Sequence, residues 1–367
     1  MKSDKKNDHY KKTEKPGFSY PCFSSNAQSI AKECLNAEIF SRLNNLKTQS
    51  GFTLYDALKS GIINPDSYVG IYAGDAESYK TFESIFNPVI ESYHSINIRE
   101  LEKHVESATQ HHNNKDHVKF FPKHKLELPD PDPEKKYIIS TRIRLARNLD
   151  GFPFTTSINL KDRLEIEKIV VTALKKMPFQ FQGRYKSFYN ESIPTGFTKG
   201  DRFQEAAGIN RDWPVARGVF ESDNGKFAIW INEEDHLRII SMAKNTNLSR
   251  VFTHLQTALE SLEKNLVFAW DPLLGYLTSC PSNLGTGMRV GVHIKLPKLY
   301  KKKDCLNDAA KKFNLQIRGT HGEKTEVESA IFDISNSQRL GISEHECCHT
   351  LHKGICSIIE MEENINI

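Results

Sequence analysis

The 367-residue sequence predicts an α+β protein, a small all-helical N-terminal region followed by a larger region built on a large sheet. Three observations predict it. Residues 20–115 carry apolar residues at helical spacing without sustained alternation. From Tyr137 onward, strand patterns fall near 137–145, 214–220, 226–232, 289–296 and 330–335. Helical spacing returns over 160–177 and 248–262, and 340–361 reads as a final helix.

Taken in order, residues 1–19 are basic and lack apolar periodicity, which predicts a disordered tail. Asp4, Asp8 and Glu14 separate it from an acid-poor transit peptide. Residues 20–103 read as a helical domain. Phe52–Lys59 is a short amphipathic run ending at Ser60-Gly61, and a loop follows over Ile62–Tyr72 with Asn64-Pro65-Asp66 as its turn. Asp75 is placed to cap the next helix, whose face carries Phe82, Ile85 and Phe86. Asn87-Pro88 reads as the N-cap and first residue of a further helix through Val89, Ile90 and Tyr93. Residues 104–136 read as a linker, holding His111, His112, His117 and His124 among lysines and then Pro129, Pro131 and Pro133. Those histidines lack a metal-binding spacing, and a solvated loop accounts for them. Residues 137–367 form the second domain. One helix is marked by Leu164, Ile169, Val170, Ala173 and Leu174, another by Val251, Leu255, Ala258, Leu259 and Leu262.

Net charge is +4 with both signs interspersed, unlike the concentrated basic face of a nucleic-acid binder. No apolar run is long enough to span a membrane. The 7 cysteines have no framework spacing and fit a reducing cytosol. Cys347-Cys348 lies among His345, His349 and His352, but adjacent cysteines do not readily face one centre, and the segment reads as a helix.

The most informative stretch is FAIWINEEDHLRIISM, Phe227–Met242. A strand delivers Asn232, Glu233, Glu234, Asp235 and His236 to its end, and Arg238 follows. A solvated acidic turn would explain the charge run by itself. Three consecutive acids between apolar runs are costly to bury unless a cation opposes them. Cations are near strands elsewhere. Arg142 and Arg144 are two apart in YIISTRIR and so share a face, and Arg289 and His293 share one in RVGVHIKLP. Arg318 opens the loop RGTHGEKTE, which contains Glu323. Several arginines with a few carboxylates suit a polyphosphate beside a cationic acceptor. The familiar phosphate loops are absent: 319–325 has the wrong spacing for GxxxxGK[ST], and Gly285-Thr-Gly287 leads into a strand.

These segments, with CPSNLGTGMRVGVHIKLPKL, STRIR, RDWPVARGVF and VGIYAGDAESYKTF, resemble the phosphagen (ATP:guanidino) kinases over roughly 54–361, and within that family the arginine kinases most. The resemblance implies an antiparallel sheet flanked by helices, with the active site between this domain and the helical one. It implies reversible transfer of the ATP γ-phosphoryl group to the guanidinium of L-arginine, with Mg²⁺ carried by ATP and no metal ligands from the protein. ATP would be held by Arg142, Arg144, Arg238, Arg289 and Arg318, with contacts from Ser140, Thr141, Ile143, Val290, Gly291, Val292 and His293, and from the 318–323 loop (Gly319, Thr320, His321, Gly322, Glu323). Glu234 and Glu323 would grip the planar guanidinium and act with Cys280 as the catalytic set, with orientation outweighing proton removal because a guanidinium is a weak acid. Glu233 would support the pair. Cys280, otherwise readable as a small core residue, would position substrate; Ser282 would bond its sulfur and nearby arginines would lower its pKa. Ser67, Tyr68, Val69, Gly70, Ile71 and Tyr72 would form the loop reading acceptor size, tied to the larger domain by an Asp66–Arg202 pair. A cytoplasmic monomer is expected.

The chain departs from the family pattern at four positions. Tyr68 stands where glycine is usual, Gly74 where proline is usual, Pro194 where a histidine packs on adenine, and His321 where an arginine is usual. They admit two competing readings: a kinase for another guanidine, and a binding or regulatory protein with little turnover. Bacterial protein-arginine kinases lack the helical domain and fit poorly.

Overall fold

The computed structural model describes residues 19–111, 125–194, 197–244, 247–319 and 327–365. The expected tail, most of the histidine-rich tract and the 320–326 part of the RGTHGEKTE loop, with Thr320, His321, Gly322 and Glu323, lie outside them.

The N-terminal part is helical: α1 (Ile30–Cys34), α2 (Ala37–Leu43), α3 (Leu54–Ile63), α4 (Ser78–Thr81), α5 (Glu83–His94) and α6 (Ile98–His111). Helix α3 starts at a capping box between Thr53 and Asp56 and runs through Ser60-Gly61, where the sequence reading ended it. Only glycine fits at position 61, because the loop crosses the helix there: a Cβ would lie 2.5 Å from the Gly70 carbonyl oxygen. Pro88 lies inside α5 and does not begin a new helix. Its missing N–H releases one carbonyl, while buried Ile85, Phe86, Val89 and Ile90 hold the helix together. Helix α6 continues past the expected boundary at 103 into the stretch read as linker. Asp75 is not a helix cap: α4 begins after Glu77 and α5 after Phe82, and Asp75 Oδ1 instead accepts from the Ser78 N–H at 2.8 Å in the turn before α4.

The C-terminal part contains β1 (Ile138–Arg147), α7 (Leu160–Leu174), β2 (Gly183–Ser187), α8 (Arg202–Ala206), β3 (Gly218–Ser222), β4 (Phe227–Ile231), β5 (Leu237–Lys244), α9 (Leu248–Leu262), a two-stranded ribbon β6 (Trp270–Asp271) and β7 (Gly275–Tyr276), β8 (Met288–Lys295), α10 (Lys303–Lys312), β9 (Leu315–Arg318), β10 (Ile331–Asn336) and α11 (Glu344–Asn364). Eight strands form one sheet in the order β2-β3-β4-β5-β1-β8-β10-β9. Every neighbouring pair is antiparallel, as the resemblance implied. The expected strand at 214–220 begins only at Gly218, because a turn through the cis Trp213–Pro214 bond occupies the preceding residues. Among the described residues no helix is long and apolar enough to cross a membrane.

Register sorts the sheet's side chains. One face presents Ile143, Leu145, Phe227, Ile229, Ile239, Val290, Val292 and Ile334 to α7, α9 and α11, making the main core. The second core packs α1–α6 against Phe154, Leu274, Leu277, Leu284 and Leu340 of the C-terminal part. The site lies on the sheet's other face, beside this second core.

Candidate active site

Antiparallel pairing places directly opposed residues on the same face. Ser140 pairs with both Lys244 and His293, Arg144 with Arg289, Ala146 with Arg238, and His293 and Arg318 with Asp333. Four strands thus bring Arg142, Arg144, Arg238, Arg289 and Arg318 onto one face although they are far apart in sequence. Thr141, Ile143 and Val290 are buried on the opposite side, in strands paired on both edges, and do not line the cavity. Ser140, Arg142, Arg144, Arg289, Gly291 and His293 line a cavity of about 780 Å³ that also reaches Met242, Lys244 and Asp333.

Asp333 was not singled out from sequence. It accepts a hydrogen bond from Arg289 Nη2 at 2.8 Å and lies 3.8 Å from Arg142 Nη2. Ser335 takes Arg289 Nε at 3.0 Å, and Ser140 Oγ lies 3.3 Å from His293 Nδ1. A lone acid within the apolar alternation of Ile331–Asn336 was the available signal. Arg318 Nη2 donates to Gln316 at 2.9 Å. Among the described residues, five guanidiniums face three carboxylates, Glu233, Glu234 and Asp333. Neighbouring Arg238, burial and Arg289 all press the Arg144 guanidinium below its ordinary pKa. Burial lowers Arg289 to about 10 despite Asp333. Buried positive charge in excess of its partners favours an anionic ligand.

The acidic turn divides its labour. Asn232 holds positive φ, and its Nδ2 donates to the Arg163 and Ala216 carbonyls at 3.0 and 2.8 Å. Asp235 Oδ1 accepts from Asn148 Nδ2 and the Ser279 N–H, both at 2.7 Å. His236 Nδ1 accepts from the Leu149 N–H at 3.0 Å, so Nε2 carries the proton and donates to the Pro153 carbonyl at 2.9 Å. Burial lowers that imidazole to about 3, so it is neutral and structural. Glu233 and Glu234 remain beside the cavity, next to its Arg144, and Arg238 meets them at 2.8 and 3.2 Å. The cation that the three acids require is therefore Arg238. Burial raises the Glu234 carboxyl to about 7; Arg238 opposes the shift, and Glu233 and Asp235 add to it.

Cys280 is buried with Sγ 3.0 Å from Ser282 Oγ, as expected. The expected lowering of its pKa is reversed. Burial, and after it the charge of Glu234, push the thiol up to about 12, and no arginine is among the groups acting on it. Its loop is gripped from the helical part: Tyr79 Oη donates to the Thr278 carbonyl at 2.7 Å, the Ala73 N–H to Ser279 at 2.8 Å and His94 Nε2 to Pro281 at 2.9 Å. Tyr79 and His94 carried no sequence signal, since each looks like an ordinary helix residue.

The Ser67–Tyr72 loop lies on α1, whose Ile30 and Ala31 N–H groups donate to the Tyr68 and Val69 carbonyls at 2.9 and 3.1 Å. Gly70 has φ +78° and no room for a Cβ beside Ser29. Tyr72 reaches the site, where burial, Cys280 and Glu234 together raise its phenol. Tyr68 avoids positive φ; its ring is 68% exposed and packs edge-on against Tyr93 at 5.9 Å. Gly74 is explained by Phe52, whose ring occupies the space a Cβ would need. Asp66 and Arg202 are paired.

Residues 25–91 match the family model "ATP:guanido phosphotransferase, N-terminal domain", and residues 158–365 match "ATP:guanido phosphotransferase, C-terminal catalytic domain". The arginine kinase of Limulus polyphemus is 41% identical over 356 residues, which covers 95% of this chain and 96% of that protein. The substrate-free duplicated taurocyamine kinase from Schistosoma mansoni superposes with TM-score 0.80 at 32% identity, covering 93% of this chain and 48% of that chain. This chain therefore spans about half of the duplicated enzyme. Lombricine kinase superposes with TM-score 0.78 at 32% identity, covering 94% of each chain.

Proposed function

The chain belongs to the ATP:guanido phosphotransferase family, and we propose that its phosphoryl acceptor is L-arginine, giving phosphoarginine and ADP. The observation that carries the reading is the meeting of an arginine-lined cavity with the Glu233–Glu234 turn through Arg144, which lines the cavity and lies beside Arg238, Glu233 and Glu234. Arg142, Arg144, Arg289 and Arg318 hold the phosphates, while Glu234 offers carboxylate oxygens to the incoming guanidinium, with Glu323 its partner. Phosphoryl transfer needs alignment and charge stabilisation more than covalent help from the protein. Mg²⁺ would enter on ATP, as the resemblance implies, since Asp333 is already held by Arg289. Cys280 orients the acceptor, and Ser67–Tyr72 sets its length.

In this reading residues 20–103 form the acceptor-specificity domain and 137–367 the catalytic domain, in a monomer. The seven unpaired cysteines support a cytosolic setting.

A second acceptor is favoured by one feature, the exposed Tyr68 on the specificity loop, whose ring packs against Tyr93 of α5, together with the taurocyamine and lombricine kinases among the similar structures. ADP release from Mg·ATP with L-arginine, taurocyamine, lombricine, creatine or no acceptor decides between them. Turnover with arginine alone is expected. Turnover with another guanidine and none with arginine removes the reading, and no turnover with any acceptor makes the chain a binding protein.

A further inference from the structure

We propose that Asn283, oriented by Arg339, is the positioning residue that fixes the Glu234 carboxylate for the cationic acceptor; this rests on the reading of Glu234 given above. Arg238 Nη2 holds Glu234 Oε2 at 3.2 Å, but the same nitrogen also holds Glu233 at 2.8 Å. A carboxylate held at one oxygen can still turn about its terminal torsion, which has broad minima. Asn283 supplies the second hold, with Nδ2 donating to Glu234 Oε1 at 3.3 Å.

The two ends of an amide have nearly the same shape, so something must decide which one faces Glu234. Arg339 decides it. A guanidinium only donates, and Arg339 Nη1 lies 3.1 Å from Asn283 Oδ1. The amide oxygen therefore faces Arg339 and the NH₂ group faces Glu234. Arg339 is itself buried, and the same nitrogen donates to the Ser282 carbonyl at 2.6 Å. The Asn283 N–H donates to the Cys280 carbonyl at 3.0 Å, which fixes its backbone. A buried cation thus sets the polarity of a relay that ends on an acceptor carboxylate.

The other charged or titratable groups facing Glu234 are Glu233 and Asp235 on its own turn, Arg238 on β5, Arg144 on β1, and Cys280 and Tyr72. Burial already favours the neutral acid. Removing an N–H donor to the ionised form therefore moves its titration further upward.

The test follows Glu234 directly in the full-length protein without nucleotide or acceptor, by ¹³C carboxyl NMR. The Glu234 signal is identified by its loss in Glu234→Gln. Asn283→Ala should raise the midpoint. Asn283→Asp, near-isosteric and still able to accept from Arg339, should raise it more, because it places a negative charge beside Glu234. Adding Arg339→Gln to Asn283→Ala should raise it no further, since Arg339 acts through Asn283. A residue that only staples the loop would lower the melting temperature and leave the midpoint in place. An unchanged midpoint in folded Asn283→Asp overturns the proposal. With whichever guanidine the wild type phosphorylates, Asn283→Ala should also lose about tenfold in kcat, the size of one lost bond to a charged group. The NMR result does not depend on turnover, so a wild type inactive on every guanidine would count against the proposed function alone.

Discussion

Glu234 is pulled two ways, since burial favours its neutral acid and Arg238 favours the carboxylate. Burial prevails in the unliganded site, which gives kcat/KM for the acceptor a sign in pH. The carboxyl is protonated below about 7, and only the carboxylate attracts a cation. kcat/KM should therefore fall about tenfold per pH unit on the acid side, with an inflection near 7. A bound guanidinium stabilises the carboxylate, so the limb in kcat should lie at lower pH. Glu234→Gln keeps the shape, removes the charge and should cost about 10²–10³-fold in kcat. Stopped-flow turnover from pH 5.5 to 9 checks both. A pH-independent kcat/KM, or a Gln variant with wild-type kcat, removes Glu234 from the site. At this scale the sequence was informative for the arginines, because alternation in STRIR and RVGVHIK assigns each to a face. It could not separate Glu233 and Glu234 from Asp235, because that division depends on Asn148 and Ser279, which are distant in sequence. Nor could it show that the neighbour of Cys280 is an acid, which is settled only by the packing of two loops.

Helix α3 and the specificity loop touch where two glycines cross. A methyl group on Gly61 would sit 2.8 Å from Gly70 Cα and 2.5 Å from its carbonyl oxygen. Backbone cannot swing aside as a side chain can. Gly61→Ala should therefore cost about 1–3 kcal/mol by overpacking and displace the loop. Expected results are a higher KM for the acceptor and an unchanged KM for ATP; equal rises in both would place the strain elsewhere. Helix α11 carries a second expectation. Glu344, its first residue, is fully buried, and burial raises its carboxyl from 4.5 to about 7 despite Arg147. Between those values the native state binds more protons than the unfolded chain, so stability falls as pH rises. Glu344→Gln removes that dependence. Its stability relative to wild type should grow by up to about 3 kcal/mol between pH 4.5 and 7 and then level off. Urea midpoints at pH 5, 6, 7 and 8 measure this, and a constant difference contradicts it. The sequence anticipated elements whose burial has a period. Helix α9 falls on the expected 248–262, and β4 and β8 are within a residue or two of theirs. It missed β2, an exposed polar edge strand, and β9, which has only four residues. It also failed to name β5, whose Leu237, Ile239, Ile240 and Ser241 are all buried, so that no alternation marks the run.

The helical and sheet regions share a core, although the sequence suggested two domains joined by a linker. Phe154, from the segment after β1, is fully buried with Phe52, Phe82, Phe86 and Ile71 of the helical part, together with Leu274, Leu277 and Leu284 from around the cysteine loop. Its N–H donates to the Gly74 carbonyl at 2.7 Å, and Thr156 Oγ1 donates to the Ala73 carbonyl at 2.6 Å. The exposed Asp66–Arg202 pair adds little by comparison, because solvent screens it. Sequence periodicity identifies which residues are apolar but not which partner each one meets, and this kept the shared core out of view. It also makes the cysteine loop a joint structure, held by Tyr79 and His94 from one side and by Ser279–Asp235 from the other. The two regions should accordingly unfold together. Wild-type protein should give one calorimetric transition whose van't Hoff and calorimetric enthalpies agree. Phe154→Ala should lower stability by about 3–5 kcal/mol, the cost of an aromatic cavity, and the loss should appear equally in tryptophan fluorescence, which reads only the C-terminal part because Trp213, Trp230 and Trp270 all lie there, and in far-ultraviolet dichroism, which reads both. Two separate transitions in the wild type would show that the helical region folds on its own and that Phe154 merely rests against it. A single transition, shifted in Phe154→Ala by the same amount in both probes, would show that acceptor loop, cysteine loop and arginine face are positioned by one cooperative unit.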